Sequence, residues 1–399
     1  MAGFGDYFSI RRSEKAIAPL DGLRAFAVIL VVFRHATLPF MPQEGALLPV
    51  GGWDAAFPMM NGWIGVDLFF ILSGFLISYH ICNRYLEKNT SMHWRDYIFR
   101  RLLRILPAYY TVLFLVVLGV FPGYVPPAGD ITAGNVIKHL FLLQDYTGSN
   151  LLVVFWSLGV EEKFYFLCPF FLMALLKTDK VRIHYTVMAL MIALLPLIRW
   201  VTVLMHPEIN DYPGFFTMLR SPFHVTLDGL LVGILCALVY RNKPHLEALR
   251  KTSAPECLFW GGFLGIAAFL VSDDHLRQIG FFDKVFMESY LALCFGSIVM
   301  ACLLGVRACK LLSARILFYI GTLSYSLYLL HFALLPLAVK ATAVVLAGYG
   351  INWLTVPAVG LPVLLLIFWV ISLSATLALY YGVEKPFLLL RDVKKSKKA

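Results

Sequence analysis

Ten stretches of this chain, each close to twenty residues and nearly free of charge, limit what it can fold into. They fall at about 19–40, 62–82, 102–121, 155–176, 184–205, 222–240, 257–272, 286–306, 317–339 and 355–381. Segments of that length match the hydrocarbon thickness of a bilayer. In lipid the backbone must satisfy its own hydrogen bonds, so each is predicted to be a helix. Composition agrees: 60% of residues are hydrophobic and 15% charged, against about 45–50% apolar in an ordinary soluble domain. The expectation is an all-α polytopic membrane protein of about ten transmembrane helices. A short N-terminal segment, 1–16, precedes one membrane domain over 17–390, and a basic tail follows at 391–399.

Lysine and arginine set the orientation, because cytoplasmic connections carry an excess of them. One set of loops holds Arg11, Arg12 and Lys15; Arg84, Lys88, Arg95, Arg100 and Arg101; Lys177, Lys180 and Arg182; Arg241, Lys243, Arg250 and Lys251; Arg307, Lys310 and Arg315; and the tail. The alternate set holds only Lys138, Arg277, Lys284 and Lys340, so both termini are predicted to be cytoplasmic. The first span follows three basic residues without a small-residue cleavage site and reads as retained. A formal charge of +10 does not imply nucleic acid here, since the basic residues sit in short loops rather than on a soluble surface. The seven cysteines form no CxxC pair, and neither a disulfide framework nor a metal site is expected.

Against this background the buried ionisable residues stand out, because each costs about 2.5–3.5 kcal/mol at a helix centre and usually faces a protein interior. The first span, PLDGLRAFAVILVVFRHATLPF, carries Arg24, Arg34 and His35. Eleven positions separate Arg24 from His35, which returns His35 to within about 20° of the same face and about 16 Å along the axis. Arg24 therefore lies in the inner third and His35 in the outer third of one stripe. The second span, GWIGVDLFFILSGFLIS, places Asp67 at the depth of His35 and Ser73 near the midplane. Asp67 either orients the histidine or pairs with Arg24 or Arg34; for Ser73, beside Gly74, helix packing competes with a ligand role.

At the entry to the third span, IFRRLLRILPAYY puts Arg101 and Arg104 on one helical face. Guanidinium forks so spaced suit phosphates, or anionic membrane lipid. The fourth span, FWSLGVEEKFYF, holds Glu161 and Glu162 about 100° apart, so that one can face a cavity while the other pairs with Lys163 or an arginine. Weaker features are Arg199, Arg220, Asp228, the GTLSYSLYLLH run with Tyr325, Tyr328 and His331, and a closing VEKP at Glu384. His331 reads as a packed, hydrogen-bonded residue or part of an acceptor site.

Together these blocks resemble the acyltransferase-3 family of integral membrane acyltransferases, from about residue 17 to 390. The arginine, ten intervening residues and histidine of the first span carry the resemblance, with SGF and VEE. It implies a ten-helix enzyme moving an acyl group, commonly acetyl, from cytoplasmic acyl-CoA, a co-substrate rather than a resident cofactor, to a carbohydrate or other hydroxyl at the outer face. It implies His35 as the catalytic residue and Arg101 and Arg104 as donor ligands. Arg24 and Ser73 are added as donor-side residues, Glu161, Glu162 and Asp67 as catalytic candidates, and Arg220, Tyr325 and His331 as acceptor or structural ones. Lys163 replaces a glutamine usual in the family, which bears on the surroundings of Glu162. Some members append an SGNH-type esterase domain after the last span, for which this sequence has no room. Succinyl transfer, or a transporter of an envelope precursor using the same charges as a gate, are the alternatives. A bacterial inner membrane is the expected location.

Overall fold

The computed structural model describes residues 7, 10, 12, 17–41, 45–83, 94–272, 274–277 and 279–396. The expectations resting on Arg11, Lys15, Arg84, Lys88 and Lys398 lie outside them. Each of the ten apolar stretches falls on a helix: α1 Ala18–Thr37, α2 Gly65–Ile81, α3 Trp94–Val117, α4 Trp156–Leu175, α5 Val181–Met205, α6 Asp228–Arg241, α7 Ala254–Val271, α8 Met287–Leu304, α9 Arg315–Ala347 and α10 Pro357–Leu379. Seven helices among the described residues are long and apolar enough to cross a membrane; they include α1, α2, α5, α7, α8, α9 and α10. The other three are set apart by their sequences. Arg100, Arg101 and Arg104 enter α3, Glu161, Glu162 and Lys163 interrupt α4, and α6 has only 14 residues.

Among the described residues, strand structure is confined to a hairpin in which Pro49–Val50 pairs antiparallel with Trp53–Asp54. Asp54 closes this loop on itself by accepting the backbone N–H groups of Leu47 at 2.6 Å, Leu48 at 2.9 Å and Ala56 at 2.9 Å.

The inner bundle is assembled by close helix contacts, α2 along α6 and α1 along α9. A Cβ on Gly74 would lie 2.3 Å from the Leu230 carbonyl oxygen, and one on Gly321 2.2 Å from that of Asp21. Small residues are what allow backbones this near in a membrane protein. The serine–glycine pair of α2 thereby divides its labour: Gly74 packs on α6 while Ser73 faces inward. Helix α5 shows the opposite surface, with Leu190, Leu194, Leu197, Val201 and Leu204 exposed at helical spacing. Its other face buries Arg199, whose guanidinium binds Asp228 at 2.7 and 3.1 Å, the Val225 and Val285 carbonyls at 2.6 and 2.9 Å, and Ser289 Oγ at 2.7 Å. With every donor direction engaged between three helices, Arg199 is a structural clamp.

Candidate active site

Where α1 begins, α2 ends and α3 begins, the bundle opens into a cavity of about 730 Å³. Its walls include Asp21 and Arg24 of α1, Ser73 and His80 of α2, Arg100, Arg101 and Arg104 of α3, Glu161 and Tyr165 of α4, and Tyr325 and Tyr328 of α9. Four guanidiniums face two carboxylates, and Asp21 is already engaged by Arg12 at 3.1 Å. Arg101 lies against the rings of Tyr97 and Tyr165, 5.8 and 5.6 Å from their centroids. Bringing positive charges together in a partly dehydrated space is unfavourable unless an anion joins them, so the cavity is built for a negatively charged ligand.

Deeper in, Glu161 accepts hydrogen bonds from Ser73 Oγ at 2.6 Å and Tyr165 Oη at 2.9 Å, one on each carboxylate oxygen. Ser73 and Glu161 thus share the cavity with Arg24 and Arg104. Tyr325 also lines it, but its hydroxyl donates to the Ile105 carbonyl at 2.8 Å, tying α9 to α3.

The far wall contains Ser157 and Tyr328. Their hydroxyls lie 2.7 Å apart, and Tyr328 donates to the Val154 carbonyl at 3.0 Å. The ring of Tyr328 is 5.8 Å from that of His331, so the next group beyond the cavity is a histidine pair. His331 Nε2 sits 2.9 Å from His35 Nδ1. The partners assign the tautomers. His331 Nδ1 faces only carbonyls, Tyr328 at 2.8 Å and Leu327 at 3.2 Å, and must carry a proton. A neutral His331 then offers a lone pair at Nε2, which accepts the Nδ1–H of His35 and leaves His35 Nε2 as a free base. Phe332 packs edge-on against His35 at 4.8 Å. His35 is half-buried, whereas His331 is fully buried. Arg34 donates to Met41 Sδ at 3.7 Å.

Two catalytic candidates occupy other places. Asp67 does not reach His35: Arg220 grips it with two bonds of 2.9 Å each and also binds Glu288. That arginine is stacked on Trp63 and Trp156, with centroid distances of 4.8 and 5.4 Å. Asp67 and Arg220 are therefore one buried ion cluster, the structural alternative read for each; the partner of Asp67 is Arg220 and not Arg24 or Arg34, because depth fixes no angular position. Glu162 is not among the cavity-lining residues, and its Oε1 is buried without a hydrogen-bond partner. Lys163 makes its hydrogen bonds elsewhere. The ammonium turns to the Leu142 carbonyl at 2.9 Å, Asp145 at 2.6 Å and the Gly159 carbonyl at 3.2 Å, pinning the 141–150 segment.

Sequence reasoning undervalued His331 and missed the hydroxyl of Tyr165. Ser324, Tyr328 and His331 recur at intervals of four and three, one face of α9, which was the available signal.

A profile for an acyltransferase domain matches residues 17–380. The chain belongs to this acyltransferase family. It is 28% identical over 345 residues to the peptidoglycan O-acetyltransferase OatA of Listeria monocytogenes, covering 82% of this chain and 50% of that protein. It is 30% identical over 360 residues to the putative peptidoglycan O-acetyltransferase YrhL of Bacillus subtilis, covering 85% and 51%. The O-acetyltransferase OatA of Staphylococcus aureus is 27% identical over 357 residues, with 83% and 53% covered. The chain spans about half the length of these curated relatives. No solved structure matches it.

Proposed function

We propose that this acyltransferase moves an acetyl group from cytoplasmic acetyl-CoA to a hydroxyl of a cell-wall or exported carbohydrate at the outer face of the plasma membrane. The observation that carries the reading is the basic cavity at one end of α1 with the His35–His331 pair one side chain beyond it. The biased loop charges put the cavity mouth and both termini on the cytoplasmic side of about ten crossings. Arg24, Arg101 and Arg104 hold the donor's phosphates, with Arg100 at the rim. The pantetheine arm runs past Ser73 and Glu161 toward Tyr328.

His35 Nε2 takes the proton of the acceptor hydroxyl as its oxygen attacks the thioester carbonyl. The carbon–sulfur bond breaks, and the imidazolium returns the proton to the departing thiolate. His331 Nε2 holds the His35 Nδ1–H throughout, fixing the ring and spreading the transient charge. Direct transfer uses one covalent step fewer than an acyl-histidine, and trapping an acyl-histidine with donor alone would refute it. The test is transfer of radiolabelled acetyl from acetyl-CoA to envelope glycans in membranes. His35→Ala should abolish it at matched expression; equal labelling by that variant would overturn the role of His35.

A further inference from the structure

At the opposite end of the bundle from the cavity mouth, α7 stops at Val271 and the chain turns back to α8. Three side chains of that connection are hydrogen bonded in series. Ser272 Oγ lies 2.8 Å from His275 Nε2, and His275 Nδ1 lies 2.7 Å from Asp283 Oδ1. The second oxygen of Asp283 accepts the Gly280 N–H at 2.8 Å, so the carboxylate is fixed from both sides. Phe269 stacks flat on the imidazole, with centroids 4.0 Å apart and planes at 7°, fixing the ring. We propose that Ser272, His275 and Asp283 form a second acyl-ester site, separate from His35, with Ser272 as its nucleophile and O-acylated carbohydrate as the substrate class.

The chemistry follows from the order of the groups. A nucleophile within hydrogen-bond reach of a base, itself oriented by a third group, is the arrangement that activates a hydroxyl. Ser272 Oγ attacks an ester carbonyl and its proton passes to His275 Nε2, while Asp283 stabilises the imidazolium. The ester carbon–oxygen bond breaks, the departing sugar oxygen takes the proton, and an acyl-serine remains. Water or a second carbohydrate hydroxyl then attacks the acyl-serine, giving its proton to His275, which returns it to Ser272.

Accessibility and neighbours favour this over a helix-closing role alone. Ser272 is half-buried and His275 retains 18% side-chain exposure, so both can be reached. Beside them Trp53, 38% exposed, donates its indole N–H to the Val271 carbonyl at 2.8 Å. That bond anchors a broad, flat aromatic surface one residue from Ser272, and such a face suits the C–H side of a sugar ring. The Ser272 hydroxyl donates its proton to the Phe269 carbonyl at 2.7 Å, where a purely structural serine would stay, and the proposed attack requires it to turn to His275 Nε2. Reactivity separates the two roles.

The full chain, purified in detergent, is treated with a fluorophosphonate–biotin probe and mapped by peptide mass spectrometry, and p-nitrophenyl acetate hydrolysis is followed in parallel. The expected result is an adduct on Ser272, with hydrolysis falling about 100-fold or more in Ser272→Ala and His275→Gln and about 10-fold or more in Asp283→Asn. Should these variants not elute as folded protein, the adduct map of the unaltered chain decides alone. Absence of an adduct on Ser272, or hydrolysis unchanged in a folded Ser272→Ala variant, overturns the proposal. Neither assay contains a thioester, so failure of transfer from acetyl-CoA would leave this result standing.

Discussion

Replacing His331 tests the tautomer argument on which the proposed chemistry depends. In His331→Ala the Nδ1–H of His35 loses the acceptor now 2.9 Å away, and the imidazolium formed during transfer loses that side-chain partner while keeping its backbone hydrogen bond to Val31. A hydrogen bond to a group that becomes charged contributes about 1.5–3 kcal/mol. Because the charge exists at full strength only in the transition state, the loss falls on kcat, by about 10- to 150-fold. His331 is not among the residues lining the donor cavity, so KM for acetyl-CoA should hold. His331→Gln restores an oxygen acceptor near the original Nε2 and should recover part of the rate, whereas His331→Lys offers donors only and should not. The assay is steady-state acetyl transfer in reconstituted vesicles, with folded protein quantified in each sample. If folded His331→Ala keeps kcat within about threefold, or raises KM alone, the orienting role is wrong.

Other outcomes follow from the same contacts. Arg104→Ala should raise KM for acetyl-CoA about tenfold or more while leaving the maximal rate nearly intact, as expected of a charge-assisted phosphate contact; initial rates across donor concentration check it. Asp67→Asn and Glu288→Gln weaken the cluster around a fully surrounded Arg220 and should cost about 3–5 kcal/mol, read as lost thermal stability in detergent rather than altered kinetics. Lys163→Gln strands the Asp145 carboxylate, whose affinity for protons burial already raises, and should destabilise the chain by about 3–5 kcal/mol. The double variant Lys163→Gln/Asp145→Asn should regain most of that loss in a thermal double-mutant cycle. Gly321→Ala should cost about 1–3 kcal/mol by driving a methyl against the Asp21 carbonyl between α1 and α9, measured the same way.

The helices were readable because membrane insertion imposes one requirement, a long uncharged run, that a sequence displays directly. Arg24 and His35 could be related to each other for a similar reason: both sit on one helix, where spacing alone gives an expected angle and height. Residues on different helices offered no such ruler. Spacing put Asp67 at the depth expected of His35, yet α2 turns Asp67 toward Arg220, which lies 153 positions away in the chain. Likewise Lys163, one residue from Glu162, extends instead to a loop 18 positions earlier. Charge in a low-dielectric interior goes to the partner that offers the best geometry, and that partner is set by packing rather than by neighbourhood in sequence. The three residues Ser272, His275 and Asp283 escaped notice because no alternation or helical period connects them; only the turn after α7 does.

The two ends of α1 differ in kind, and the difference is what makes the fold fit a transfer across a barrier. The end near Arg24 gathers charge suited to an anionic ligand; the end near His35 gathers two imidazoles paired at 2.9 Å. Tyr328 belongs to both, lining the cavity with one side and meeting His331 with the other. Its hydroxyl is held by Ser157 and the Val154 carbonyl, at the start of the helix that also carries Glu161. In the proposed transfer, a thioester reaching His35 would pass Tyr328, where α4 and α9 meet. Hydrogen bonds of this ordinary strength, about 1 kcal/mol each, are strong enough to hold Tyr328 in place and weak enough to be exchanged for other partners.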